Sequence, residues 1–261
     1  MFLARMKRLL GSGVFWGTVF LFAAIMIAGA YEDIQSAGAN SSSVLYLFLV
    51  TSSVGISHVL VPVLTIIPFA FFYAEELEKK AAYYSLIRCS KRSYYGSNIA
   101  AAVLSSMLVS AFALLVFVIV CLLSGAGSEF GGSEASFFEG SIYGSWLENG
   151  NGNWILPLKL LAFVVYSAPW GVLCLAVSVF SKNKYIIIAA PFLIEKAVGT
   201  ITQMIPSLWL LIPGLTLLKG TSLRLPYGGI PYALGYNGVI VAALSVFYYV
   251  MSKRRYRHEG I

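Results

Sequence analysis

The sequence predicts an all-α membrane protein with six transmembrane helices and both termini on the cytoplasmic side. Three observations carry that prediction. The 261 residues are 59% hydrophobic and 11% charged, with a mean hydropathy of +0.81, whereas soluble domains carry about 25% charged residues. The charges are gathered between long apolar runs, the arrangement of a chain that must satisfy its backbone inside lipid. Of the 18 Lys and Arg, 14 fall in four segments that alternate with segments lacking them, and this asymmetry fixes orientation.

Taken in order, Met1–Leu10 sets Phe2, Leu3, Met6, Leu9 and Leu10 near one helical face, with Arg5 and Arg8 offset from it and Lys7 beside them. That is the pattern of a short amphipathic helix in the inner interface, the alternative being a frayed basic tail. The first span follows at about 14–30. Its basic flank and Ala28-Gly29-Ala30 imitate a secretory signal, but the apolar run is long enough to be retained as a span. An outer segment, 32–49, holds no Lys or Arg. The second span, 50–73, contains Pro62 and Pro68, each of which removes a backbone hydrogen bond and permits a kink.

A charged island from Glu75 to Asn98 comes next and holds Lys79, Lys80, Arg88, Lys91 and Arg92. A short loop this basic belongs inside. Because it is also helix-forming and amphipathic, it suits a docking element better than a plain connector. Leu77, Ala81, Tyr84 and Leu86–Ile87 can face a groove, with Tyr83, Tyr84 and Leu86 the expected anchors.

The third span is 99–123. The outer loop 125–153 is rich in Gly, Ser and acid, with Glu129, Glu134, Glu139 and Glu148 and five interspersed aromatics that suit interface anchoring, a ligand lid being the alternative. The fourth span, 155–180, is followed by Lys182 and Lys184, and the fifth, 185–205, carries Glu195 and Lys196 midway. Ser207–Leu218 is too short for a crossing and has Pro213-Gly214 at its middle, so a short re-entrant outer helical hairpin is expected. The sixth span, 235–251, ends in the basic tail Lys253, Arg254, Arg255 and Arg257. The whole of 1–261 reads as one transmembrane domain without internal repeats.

Few residues suggest chemistry. There is no G-x-x-x-x-G-K-[ST], no H-E-x-x-H and no G-x-S-x-G, and the two histidines, His58 and His258, lie far apart. No catalytic residue, metal site or cofactor is expected. His58 reads as a packing residue inside its span. Cys89, Cys121 and Cys174 form no disulfide pattern and behave as small hydrophobes. The formal charge of +7 sits at span ends rather than in a basic domain, which argues for membrane lipid and against nucleic acid. Glu195 and Lys196 are the conspicuous intramembrane charges. As helix neighbours they point some 100° apart, so each needs a partner on another helix, a water-filled cavity or its neighbour bent toward it. They line a pathway or dimer seam, or form a structural polar pair.

With six spans, both ends inside and a helical basic first inner loop, the chain resembles the permease subunits of bacterial type-2 ABC exporters. The match runs through an acidic pair leaving the second span (Glu76 and Glu78), a short helix with Tyr84-Ser85-Leu86-Ile87, and Ser90-Lys91-Arg92-Ser93-Tyr94-Tyr95 opening the third. Ala81-Ala82 stand where the family commonly has Gly, Arg88-Cys89 where it has Pro, and Asn98 where it often has Lys. The resemblance implies a cytoplasmic coupling helix that docks on a separate ATP-binding cassette subunit through Glu76, Glu78, Tyr83, Tyr84, Leu86, Arg88 and Arg92. It also implies two permease copies, as a homodimer in the bacterial plasma membrane, and export of a peptide or hydrophobic drug-like substrate. The chain itself is then no enzyme, since ATP hydrolysis belongs to the partner. A non-transporting membrane scaffold and a secondary carrier remain the alternative classes.

Overall fold

The computed structural model describes residues 2–40, 42–54, 57–78, 89–127, 149, 152–181, 183–204 and 230–258. Among them the secondary structure is helical apart from one isolated bridge. The helices are α1 (Phe2–Leu10), α2 (Gly13–Gly29), α3 (Tyr31–Asn40), α4 (Val44–Leu49), a π-turn (Val50–Val54), α5 (Ser57–Leu64), α6 (Ile67–Glu78), α7 (Lys91–Leu123), α8 (Ile155–Ser178), α9 (Lys184–Met204) and α10 (Ile230–His258). A 3₁₀ turn, Gly152–Trp154, leads into α8. Four helical stretches are long and apolar enough to cross a membrane: Val59–Glu78, Lys91–Leu123, Gly152–Ser178 and Leu234–Arg254. A fifth is added if α1 and α2, bent 59° from each other, form one span. The 21-residue α9 carries Lys184, Glu195 and Lys196 and is not among them.

The sequence expectations hold best where a span is uninterrupted, as in α2, α8 and α9. α7 begins eight residues before the expected third span, because Ser90 caps it by accepting from the Ser93 N–H at 3.3 Å. Its 33 residues extend about 50 Å. At its far end Gly125 adopts φ 89°, with the Ala126 N–H donating to the Cys121 carbonyl and Gly125 N–H to that of Leu122. This paired return is the Schellman motif, which favours glycine at the left-handed position.

The second span departs most from expectation. Rather than one helix over 50–73, the chain runs through α4, the π-turn and α5, breaks at Thr65–Ile66, and resumes in α6. Pro68 explains the last break. It lacks an N–H for the Leu64 carbonyl and sits in the first turn of α6, where proline is tolerated. The Thr65 hydroxyl folds back onto the Val61 carbonyl at 2.7 Å. The preceding outer segment is itself structured. α3 places Glu32 and Asp33 in its first turn, where the helix dipole favours acid.

The centre of the fold is the seam between α7 and α8. Small side chains line it on both sides: Ala102, Ser106 and Ser110 on α7, Ser167, Gly171 and Cys174 on α8, all buried. Small residues let membrane helices approach closely enough for backbone contact to supply the packing energy. The closest point is Gly171, where an added Cβ would lie 2.5 Å from the Ala102 carbonyl oxygen and 2.8 Å from Ser106 Oγ. The serine hydroxyls are satisfied inside their own helices, Ser106 on the Ala102 and Val103 carbonyls and Ser167 on Val164. α2 packs on α7, α10 and α9 on α8, and Phe163 of α8 meets Phe22 of α2 and Phe48 of α4 at 6.1 and 5.7 Å.

These contacts sort the helix ends. Arg5 of α1 reaches Glu76 at the end of α6 and Asn98 near the start of α7. Asn98 touches Tyr248 late in α10. Phe180, just after α8, stacks near Phe247, and Lys184 at the start of α9 lies over the Phe71 ring at 5.3 Å. The basic segments that are described therefore share one end. The opposite end is tied by the bridge between Ser43 and Gly127.

Candidate functional site

The basic end contains a buried polar hub built around Arg5. α1 and α2 are separated by Gly11 and Ser12, and Ser12 caps α2 by accepting from the Phe15 N–H at 3.2 Å. Met6 and Leu9 are buried and hold α1 against the body, which carries Arg5 inward to 6% exposure. There the guanidinium lies 4.9 Å from the Tyr94 ring centroid. Its Nη1 donates to Ser97 Oγ at 2.7 Å and to Asn98 Oδ1. Its Nη2 donates to Glu76 Oε1 at 2.5 Å, and the Glu76 side chain is only 9% exposed. Asn98 passes the network on, since its Nδ2 donates to the Tyr248 hydroxyl at 3.1 Å and that hydroxyl shares a hydrogen bond of 3.0 Å with Tyr73. Tyr95 closes the cluster, edge-on to Tyr248 and Tyr249.

The chemistry needs arginine here. A planar guanidinium has five N–H groups in a fixed fork and stacks on an aromatic face, so it can serve three acceptors and Tyr94 at once. A buried ion pair of this kind contributes little net stability compared with an apolar replacement, but removing one partner costs about 3–5 kcal/mol. Its effect is therefore on placement: four separate segments, α1, α6, α7 and α10, share one set of hydrogen bonds. Glu76 Oε2 and the Tyr94 hydroxyl are buried and have no hydrogen-bond partner among the described residues.

The residues expected to dock on an ATPase are distributed unevenly around this hub. Glu76 is turned inward onto Arg5, whereas Glu78, at the last position of α6, is exposed. Arg92 is exposed in the first turn of α7. Tyr83, Tyr84, Leu86 and Arg88 lie outside the described residues, as does the expected Ser207–Leu218 hairpin. Glu75 is exposed and faces Arg8 at 3.7 Å, a surface pair of the kind worth under about 1 kcal/mol.

Sequence reasoning assigned Arg5 to orientation and missed the hub. The signal was present in the spacing, because Phe2, Arg5, Met6 and Leu9 follow a helical i, i+3, i+4, i+7 stripe with Arg5 on the buried face.

Glu195 and Lys196 do meet. Lys196 Nζ lies 3.2 Å from Glu195 Oε2 and 5.7 Å from the Phe192 ring centroid. The contact is not directed as a hydrogen bond, and Glu195 Oε2 has no hydrogen-bond partner among the described residues. The Glu195 side chain is 16% exposed and that of Lys196 43%. A lysine at bilayer mid-depth costs about 2.5–3.5 kcal/mol on insertion scales. A second buried cation, Lys159 in the second turn of α8, went unremarked in the sequence because its neighbours are uniformly apolar.

No group of three or more metal-ligating side chains occurs among the described residues. No protein-family model, curated protein or solved structure matches this chain.

Proposed function

We propose that the chain is the transmembrane subunit of an ATP-driven exporter in the bacterial plasma membrane, working with a separate ATP-binding cassette subunit and a second copy of itself. α9 is then the fifth of six spans, counting α2, the broken α4–α6 segment, α7, α8, α9 and α10 in order, and the basic end faces the cytoplasm. The observation that carries the reading is the Arg5 hub. The basic segment 79–88 leaves α6 two residues after Glu76, and Glu76 is bonded through Arg5 to α1 and α7 and onward through Asn98 to α10.

A displacement delivered to that segment is thus passed to several helices together. A mere connector would need no such fixture. In this mechanism ATP-driven closure of the partner subunits pulls the docked segment, the hub moves α6, α7 and α10 as a group, and the spans tilt from an inward to an outward arrangement. No covalent chemistry on the substrate is required, and a peptide or hydrophobic drug-like molecule fits an apolar pathway.

The test is copurification. Replacing Tyr84 and Leu86 by Ala keeps the charge pattern and hence the topology. The expected result is normal membrane insertion with loss of the ATP-binding subunit and of substrate-stimulated ATP hydrolysis. Unchanged assembly and transport in that double variant would refute the docking role.

A further inference from the structure

α9 presents a mixed face that lipid does not suit. Leu193, Ile194, Val198, Ile201 and Met204 are all exposed, which alone describes any lipid-facing helix. Lys196 interrupts them, three residues after Leu193 and on the same side. Its position excludes an easy escape to water. Lys184 starts α9 at the basic end, so Lys196 lies about 18 Å farther along at 1.5 Å per residue, within a hydrocarbon layer of about 30 Å. Met204 is still about 12 Å beyond it. Glu195 does not neutralise it well, because adjacent helical residues diverge and their 3.2 Å contact lacks hydrogen-bond direction.

We propose that this face is a seam between two copies of the chain, in which Glu195 of each copy pairs with Lys196 of the other. A two-fold interface sets residue i against j and j against i, so a side-by-side acid and base form a self-complementary patch. Two copies then provide two crossed ion pairs with the geometry that one copy cannot reach alone, and the flanking apolar side chains close around them. The proposal deepens the reading above by naming how the second copy binds. It rests on that reading only for the membrane setting.

The experiment uses two differently tagged full-length chains co-expressed in one membrane. Wild type should capture wild type. Glu195→Lys should fail to capture Glu195→Lys, and Lys196→Glu should fail to capture Lys196→Glu, because each pairing sets like charges together. Glu195→Lys with Lys196→Glu should restore capture to the wild-type amount. Like-with-like capture at the wild-type amount overturns the seam, as does a wild-type chain that captures no second copy. Where neither variant accumulates in the membrane, an Ala197→Cys chain carrying Cys89→Ser and wild-type charges decides. A cross-linked dimer on oxidation supports the seam and its absence overturns it. Capture of the ATP-binding subunit is read in parallel. If the seam fails while that subunit still copurifies, the exporter reading stands; if the seam holds and no ATP-binding subunit is captured, only the exporter reading falls.

Discussion

Replacing Arg5 by Met and Glu76 by Gln, singly and together, tests whether the hub acts as one unit. Arg5→Met keeps the length and apolar volume of the side chain but strands a carboxylate that is 9% exposed, at a cost of about 3–5 kcal/mol. It also leaves Asn98 Oδ1 and Ser97 Oγ without the donor they have now. Glu76→Gln is milder. The amide oxygen can still accept from Nη2, and Arg5 keeps Ser97, Asn98 and the Tyr94 ring, so only the charge assistance is lost. A hydrogen bond to a charged group contributes about 1.5–3 kcal/mol, which bounds that variant. The double variant removes both charges and should cost clearly less than the sum of the singles. The assay is reversible unfolding in mixed micelles, followed by helix content and by quenching of a probe on α1, so that detachment of α1 is separated from global unfolding. Independent sites add within about 0.5 kcal/mol. Additivity at that level, or equal costs for the two single variants, would refute the hub as a coupled network.

Gly171→Leu should prevent stable packing of α7 on α8, because a Cβ at 2.5 Å from the Ala102 carbonyl already forces the helices apart; Gly171→Ala should cost about 1–3 kcal/mol by overpacking, and membrane accumulation with protease resistance measures both. Arg5→Lys should retain insertion but loosen α1, since an ammonium cannot hold three acceptors and an aromatic face in the fork geometry; protease cleavage between α1 and α2 reads it. Reporter fusions after Asn40 and Asn151 should report the outside and those after Arg92 and Lys182 the inside, and an internal reading at Asn151 would overturn the six-span topology.

How far the sequence reveals this molecule depends on which kind of force sets each feature. Bilayer thickness dictates long apolar runs, so α2, α7 and α8 are visible in hydropathy alone, and the common end of the basic segments follows from their alternation. The interior of the second span is less visible. Pro62 and Pro68 signal a kink, but whether the chain answers with a π-turn, a bend or a break depends on neighbours such as Thr51, whose hydroxyl bonds the Met26 carbonyl of α2 at 3.0 Å. The hub is less visible still. Arg5, Arg8, Glu75 and Glu76 offer several pairings by charge, and only burial distinguishes the Arg5–Glu76 contact from the exposed pair Arg8–Glu75. Sequence periodicity shows that Arg5 shares a face with Met6 and Leu9; it does not show that the acceptors stand 71 to 93 positions away.

The two packing modes suggest different mechanical roles along the membrane normal. Midway, α7 and α8 touch backbone to side chain at Gly171, with no long side chain between them that could change rotamer and let them slide. Such a contact permits little relative motion without losing the dispersion energy that holds it. At the basic end, by contrast, the helices meet through a guanidinium, an amide and tyrosine hydroxyls, whose hydrogen bonds can be exchanged among nearby acceptors. Glu76 Oε2 and the Tyr94 hydroxyl offer two such acceptors already inside the cluster. A conformational change in this fold should therefore rearrange the Arg5 network while the α7–α8 seam moves as a rigid body. Cross-linking across that seam should leave activity intact, whereas cross-linking α1 to α7 should abolish it.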